Sequence, residues 1–319
     1  MKLSMQTLPT IFLERLKKII PEHHYAQVVE SFAQVDPICI RVNLLRTSIE
    51  AALTELAQMA VSVEPCSWRE DAFIVKTKYR GLLTSSPIFE EGRIAIQNFS
   101  SMVPVMLLNP QPRQEILDLA AAPGGKTALM AMMMQNTGRI AAVEVVKNRF
   151  FKMRNQLEML GVTNVETYLK DGREVGRQCP ERFDGVLLDA PCSSEARFRI
   201  DDPSSYAYWS ERKVSEMQHK QKRLLLAALQ SVKVGGRVVY STCSYSPEEN
   251  EIVIASALKK YGDAVEVLPA SLSFKNIQQG LTQWKNKKLV PSLIDAIRIL
   301  PNDHMEGFFV CCLRKNRSI

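Results

Sequence analysis

Ile116-Leu117-Asp118-Leu119-Ala120-Ala121-Ala122-Pro123-Gly124-Gly125-Lys126-Thr127 runs from a short apolar stretch through a glycine turn into a helical pattern that continues to residue 134. Small residues at such a turn let a ligand approach the backbone, and the first N–H groups of the helix then point at it. Gly-Lys-Thr is also how a Walker A phosphate loop ends. That motif needs a glycine five positions before its last glycine, and Ala120 stands there. The nucleotide-hydrolysing reading therefore fails on spacing. The dinucleotide pattern G-x-G-x-x-G is missing as well.

Downstream of this turn, strand and helix patterns alternate. Residues 139–145 read as strand, 147–160 as helix up to Gly161, 165–169 and 185–188 as strands, and 211–232 as a long amphipathic helix closed by Gly235-Gly236. A strand over 237–242 and a helix over 248–261 follow. Repeated βα alternation predicts a doubly wound, mostly parallel sheet with helices on both faces. The stretches 296–300 and 307–313 are strand-like with a short connection, which predicts an antiparallel pair.

Upstream the pattern differs. Helical periodicity covers 8–20 and 25–32, and an extended segment covers 38–43. Thr47 with Glu50 forms a candidate capping box for a helix through residue 59, and strand-like stretches follow at 61–63 and 72–77. This predicts a helical arm and a small α+β domain over residues 1–92, followed by the larger α/β domain over 93–319.

Acidic residues stand at the ends of three successive strands: Glu144, Asp171 and Asp189. In an open parallel sheet the ligand lies at the carboxyl ends of the strands. A carboxylate after the second strand suits ribose hydroxyls, and one after the third suits an adenine amino group. A cofactor with a ribose and an adenine but no phosphate fits the set. Two cysteines share that edge. Asp189-Ala190-Pro191-Cys192 follows one strand, and Ser241-Thr242-Cys243 follows the next. A lone cysteine usually reads as an inert buried thiol. Two in matched positions beside Asp189 read as working groups. Ser246, Pro247 and Glu249 spell a helix start just beyond Cys243, whose positive end would favour a thiolate, while Glu248, Glu249 and Glu251 oppose it and leave the balance open.

Bulk properties set bounds. No apolar run approaches the ~20 residues that span a bilayer. The polar residues Ser4, Gln6 and Thr7 argue against a secretory leader, so a cytoplasmic protein without a membrane segment is expected. The seven cysteines are odd in number, form no C-x-x-C pair and have no histidine cluster, so neither a disulfide framework nor a metal site is expected. The net charge of +7 leans toward a polyanionic partner.

These motifs together resemble the Sun-type (RsmB-like) family of RNA cytosine-5 methyltransferases. The resemblance is carried by Arg41-Val42-Asn43, Gln97, the stretch 120–127, Asp189 to Ser193, Thr242 to Asn250, and Arg298, Pro301 and Glu306-Gly307-Phe308-Phe309. It implies a class I S-adenosylmethionine-dependent methyltransferase domain behind a small RRM-like domain. It also implies that Ala120, Ala121, Ala122, Pro123, Gly124, Gly125 and Lys126, with Glu144, Arg149, Asp171 and Asp189, hold S-adenosylmethionine. Cys243 would be the nucleophile and Cys192 would help release the product. Asp189 would bind the base edge, and Lys126 would orient Asp189 or a phosphate. Some positions depart from the family pattern. Glu144 replaces a common Asp, Asn98 stands where an acid is common, and Ser194-Glu195-Ala196-Arg197 replaces a glycine-containing turn.

The expected activity is methyl transfer to carbon 5 of cytosine in RNA by a monomeric enzyme, with ribosomal RNA favoured over transfer RNA. A DNA cytosine-5 methyltransferase is the nearest alternative, and the second cysteine at Thr242-Cys243-Ser244 argues against it. A non-catalytic RNA-binding assembly factor is the other, and the presence of both cysteines and Asp189 argues against that. Arg197, Arg199 and Lys213 with Tyr206, Tyr208 and Trp209 form a candidate wall for single-stranded RNA.

Overall fold

Ile38–Val42 (β1) is the strand on which the small sheet is built. Its side chains alternate, as a period of two requires. Ile38, Ile40 and Val42 enter the small domain's own core with Ala52, Leu56, Phe73 and Ile94. Cys39 joins the core of the larger domain, and Arg41 reaches Met132 there. The other strands are Val63–Pro65 (β2), Ala72–Val75 (β3) and Ile94–Ile96 (β4), in the antiparallel order β2-β3-β1-β4. β4 lies just past the division expected at residue 92.

The helix Ile49–Gln58 is capped by Ser48, whose hydroxyl accepts from the Ala51 amide. Thr47, expected to cap it, closes a turn onto the Asn43 carbonyl instead. That leaves Ser48 as the residue with extended dihedrals, which an N-cap needs.

The computed structural model describes residues 8–34, 38–270, 272–273 and 275–319. The polar stretch read from Ser4, Gln6 and Thr7 lies outside the described residues. The large sheet contains Glu115–Asp118 (β5), Arg139–Glu144 (β6), Val165–Leu169 (β7), Phe183–Asp189 (β8), Val232–Thr242 (β9), Val265–Leu268 (β10) and Ile277–Gln279 (β11). A separate ribbon, Gln283–Trp284 (β12) with Lys287–Lys288 (β13), comes before the last two strands, Ile297–Ile299 (β14) and Phe308–Lys315 (β15). The order is β11-β14-β15-β9-β8-β5-β6-β7, with β10 also paired to β15. Pairing is parallel from β9 through β8, β5 and β6 to β7, and antiparallel wherever β14 or β15 takes part.

Helices cover both faces of this sheet. Glu211–Ser231 and Glu251–Tyr261 pack Leu224, Leu225, Ala228, Val253 and Ile254 on one side. Phe99–Leu108, Gly125–Met133 and Lys147–Met159 pack Met102, Leu129 and Met153 on the other. Chain order reverses at β5, which lies between β6 and β8, and that reversal opens the crevice where a doubly wound sheet binds its ligand.

Gly235-Gly236 does not close the long helix. The helix ends at Ser231 and β9 begins at once. Between the pairs Phe183–Val232 and Gly185–Arg237 the register shifts, and Gly235 adopts a positive φ of 81° inside that irregularity. A bulge of this kind takes up extra residues in one strand.

Three contacts fix the domains to one another. The Asn43 side-chain amide donates to the carbonyls of Gly92 (2.7 Å) and Leu160 (2.8 Å). Arg41, 1% exposed, donates to Gln97 Oε1 as well as to Met132. The helical arm, Thr10–Ile19 with Glu22–Ser31, packs Phe12, Leu16 and Phe32 against Phe198, Tyr245 and Trp284.

Arg298 on β14 forks onto Glu251, with Nε–Oε1 at 2.7 Å and Nη2–Oε2 at 2.5 Å, and its Nη1 donates to the Tyr245 carbonyl at 2.8 Å. Both side chains are almost wholly buried. Removing one partner of such a pair strands the other charge away from water. Arg298→Met is therefore expected to destabilise the fold by about 3–5 kcal/mol, read by urea unfolding. A loss below about 1 kcal/mol, the range of exposed pairs, would contradict the packing described.

Candidate active site

β8 and β9 are parallel neighbours that end level, with Leu188 opposite Tyr240 and Asp189 opposite Ser241. Both chains continue past the sheet, and the Ala190 amide donates to the Ser241 carbonyl at 2.8 Å. Cys192 and Cys243 then emerge side by side, their sulfurs 3.4 Å apart and both unbridged. A hydrogen bond from the Ala196 amide to the Cys243 carbonyl, 3.0 Å long, folds the 194–197 segment over the pair.

The two thiols are electrostatically unequal. Cys243 is lowered from its ordinary value, first by the hydrogen bond with Cys192 and then by the Arg197 charge, against burial and the Asp189 carboxylate. Cys192 is raised well above its ordinary value, first by its bond to Cys243 and then by burial. Cys192 is thus the donor of the pair, and Cys243 is the sulfur whose charged form is favoured.

Asp189 ends β8. Its Oδ2 accepts from Lys126 Nζ at 2.7 Å, and its Oδ1 accepts from Ser241 Oγ at 2.9 Å. Lys126 also donates to Ser101 Oγ at 2.6 Å, and its ammonium lies 5.5 Å from the centre of the Phe308 ring. Asp189 is therefore held rigidly at the rim.

A cavity of about 720 Å³ opens at the switch point. Its walls include Ala120, Ala121, Ala122, Pro123, Gly125, Lys126, Glu144, Arg149, Asp171, Asp189, Cys192 and Cys243. Gly124 is the exception among the expected ligand residues. It has a φ of 107° and faces the Met153 and Leu157 side chains, so it shapes the turn from behind. Glu144 Oε1 accepts from the Val146 amide at 2.8 Å. Arg149 donates to the Ala122 carbonyl at 2.7 Å and lies 3.6 Å from Glu144. Asp171 is engaged by Arg173, whose guanidinium holds its carboxyl below the usual range. Val145 and Val146 line the same cavity yet are about half exposed, which leaves an apolar wall without a partner.

Several residues at the site were not assigned from sequence. Asp118 ends β5, lines the cavity and is pushed up to about 7 by burial, against a hydrogen bond from Thr127. The strand-end logic applied to Glu144, Asp171 and Asp189 would have reached it. Gln97, named only for the family resemblance, and Arg197, read as part of an RNA wall, also line the cavity.

Glu195 is buried. It accepts from the Tyr245 and Ser246 amides, from the Ser244 and Ser246 hydroxyls and from the Trp209 indole. Trp209 and Tyr206, both partly buried, pack with Phe198 at the edge of the arm's core. Tyr208 is 88% exposed.

The expected helix start at Ser246 is absent. The helix begins at Glu251, and Glu249 turns inward instead of closing a capping box. The positive side chain that lowers Cys243 is Arg197.

The family described as 16S rRNA methyltransferase RsmB/F matches residues 105–314, and the ferredoxin-like domain of RsmF/B-like methyltransferases matches residues 8–80. The chain belongs to the RsmB/F methyltransferase family. The 28S rRNA (cytosine(4447)-C(5))-methyltransferase of Homo sapiens is 36% identical over 95% of this chain and 37% of its own length. Ribosomal RNA small subunit methyltransferase F of Vibrio vulnificus is 35% identical over 98% of this chain and 65% of its own. This chain therefore spans less than two thirds of these curated relatives. A solved methyltransferase homologue from Pyrococcus horikoshii, 32% identical, superposes with a TM-score of 0.83 over 99% of this chain and 100% of that one. Both the class I methyltransferase fold and the small N-terminal α+β domain read from the sequence are therefore present. Among the described residues, no helix is long and apolar enough to cross a membrane.

Because Cys192 and Arg197 both favour the charged form of Cys243, their loss acts in one direction. Cys192→Ala and Arg197→Gln are each expected to move the pH of half-maximal iodoacetamide alkylation of Cys243 upward, with Cys192→Ala moving it further. Peptide mass spectrometry across a pH series reads both. An unchanged or lower midpoint in either variant would contradict the charge arrangement.

Proposed function

We propose that this protein transfers a methyl group from S-adenosylmethionine to carbon 5 of a cytosine in ribosomal RNA. The observation that carries this reading is the single cavity shared by the glycine turn, the strand-end carboxylates and both cysteine sulfurs. The RNA named for both relatives is ribosomal, which favours that substrate.

The residues fit the cofactor. A cavity of this volume is in the range of small-molecule sites. Glu144 and Asp171 offer acceptors for ribose hydroxyls and an adenine amino group. The bare Val145 and Val146 offer an apolar surface for the adenine ring. Carboxylates on this wall would repel a phosphate, in keeping with a cofactor that has none. When bound, the cofactor supplies an electrophilic methyl group.

The chain's own residues account for the rest. Carbon 5 of cytosine is too weakly nucleophilic to react unaided. The Cys243 thiolate adds to carbon 6, which makes carbon 5 electron-rich. Asp189, fixed by Lys126 and Ser241, meets the polar edge of the base. Once Cys243 is bonded to carbon 6 it no longer holds the Cys192 hydrogen bond; Cys192 gives its own proton to solvent, and its thiolate takes the carbon 5 proton as the carbon 6–sulfur bond breaks and Cys243 leaves as a thiolate. The target base must be out of any helical stack for both ring faces to be reached.

Tritium transfer from labelled cofactor to ribosomal RNA of cells lacking this gene tests the reading. Cys243→Ala is expected to lower the rate by about 1,000-fold or more and to form no covalent adduct. Cys192→Ala is expected to accumulate a protein–RNA adduct that survives a denaturing gel. An adduct in Cys243→Ala but not in Cys192→Ala would reverse the roles, and no transfer by the unaltered protein would refute the activity.

A further inference from the structure

We propose that Glu249 is the positioning residue that fixes the two cysteine loops against each other, and that it does so as a neutral carboxyl. The inference rests on the proposed activity for its kinetic consequence but not for its geometry.

Glu249 is fully buried. Its Oε2 accepts from the Ser193 amide at 2.9 Å and from Gln221 Nε2 at 2.8 Å. Its Oε1 bonds to Ser193 Oγ and lies 2.9 Å from Ser244 Oγ. Ser193 follows Cys192 and Ser244 follows Cys243, so one carboxyl holds the residue after each sulfur. Gln221 also donates to the Pro191 carbonyl at 2.9 Å, just before Cys192. The Cys192 loop is therefore gripped on both sides.

Counting protons shows which form of Glu249 fits. Ser244 Oγ lies 3.0 Å from Glu195 Oε2 and 2.9 Å from Glu249 Oε1, and it accepts from the Ser246 amide at 3.1 Å. One hydroxyl proton cannot serve both carboxyls. Glu195 takes five donors, which suits an anion. If Ser244 donates to Glu195, its contact with Glu249 Oε1 sets a lone pair against a lone pair unless Glu249 holds a proton. With that proton present each carboxyl contact is satisfied: Glu249 donates to Ser244, Ser244 donates to Glu195, and Ser193 donates to Glu249, which leaves only the longer 3.3 Å approach of the two serine hydroxyls without a proton. An unpaired second charge would also be costly this deep in the protein.

The groups facing Glu249 agree. Glu195 already holds five donors, Gln221 is neutral, the Tyr240 hydroxyl donates to the Glu249 backbone carbonyl at 2.5 Å, and the Cys192 thiol is raised well above its ordinary value. Burial first and Glu195 second push Glu249 up to about 7.

A glutamine keeps these contacts, with its oxygen accepting from Ser193 N and Gln221 and its amide donating to both hydroxyls, so that only the Ser193 hydroxyl changes from donor to acceptor. Alanine removes them. In the full chain, Glu249→Gln is expected to keep kcat within about threefold of the unaltered protein, because the amide restores the hydrogen bonds at little cost. Glu249→Ala is expected to lower kcat by about 100-fold through misplacement of the sulfurs, with KM for ribosomal RNA held within about threefold, the split expected when only transition-state geometry is lost. The ratio of Cys192 to Cys243 alkylation by iodoacetamide, measured without RNA, is expected to change in Glu249→Ala and to stay at the parent value in Glu249→Gln. If Glu249→Ala does not fold, Ser193→Ala replaces it, with an expected loss of about tenfold from one deleted bond.

Two results overturn the proposal. One is a folded Glu249→Ala, or Ser193→Ala in its place, with parental kcat and alkylation ratio. The other is a Glu249→Gln as slow as Glu249→Ala. If the unaltered protein transfers no methyl group, the proposed activity fails, while the alkylation ratios still decide the positioning role.

Discussion

The parallel pairing of β8 with β9 is the constraint from which the site follows. Level strand ends at Asp189 and Ser241 put two loops at one height, so residues two or three positions further on meet without a long reach. Cys192 and Cys243 are distant in sequence but become neighbours because each strand is locked on both edges. β8 is held by β5 and β9, and β9 by β8 and β15. A one-residue slip in either pair would turn one sulfur away from the other, since side chains alternate along a strand. The same switch-point geometry puts the glycine turn after β5 and the acid after β6 around the same crevice. Chemistry and cofactor recognition are thus set by one sheet rather than by two domains meeting.

Much of this was legible in the sequence because the relevant signals are periodic or local. The βα alternation, the glycine turn and the paired Asp189–Cys192 and Ser241–Cys243 segments each carry their meaning within a few residues. What was not legible depended on competition between local and tertiary bonds. Ser246-Pro247-Glu248-Glu249 has the composition of a helix start. Glu249 nevertheless binds Ser193 and Ser244, and the helix begins only at Glu251. Thr47 lost the capping role to Ser48 because a turn from Asn43 used its backbone first. Gly235-Gly236 resembled a helix stop and is a strand bulge. In each case a correct local propensity was outweighed by a partner far away in the chain.

Residues 194–197 show the same limit at the site itself. As sequence they are a departure from the family turn, with Arg197 read as part of a wall for single-stranded RNA. In the fold this short segment divides its work. Glu195 goes inward and collects five donors from the Cys243 loop and Trp209, while Arg197 stays at the cavity and faces the sulfur. No period or motif reports that division, because it arises from the Ala196 amide pairing with the Cys243 carbonyl.

The buried carboxyls behind the cysteines also bear on the charge balance around Cys243 and Asp189. Charges in a low-dielectric region interact strongly, so each added anion raises the cost of the next. Glu195 is neutralised by its donors and lies in range of the Arg15 charge, Asp189 is paired with Lys126, and Arg197 faces Cys243. Were Glu249 also ionised, it would stand as a further anion near both sulfurs with only neutral donors around it. Keeping that carboxyl protonated removes the repulsion while retaining the hydrogen bonds that hold the loops. The favoured charge at Cys243 and a proton at Glu249 would then be two parts of one charge arrangement, in which repulsion around the two sulfurs is kept low.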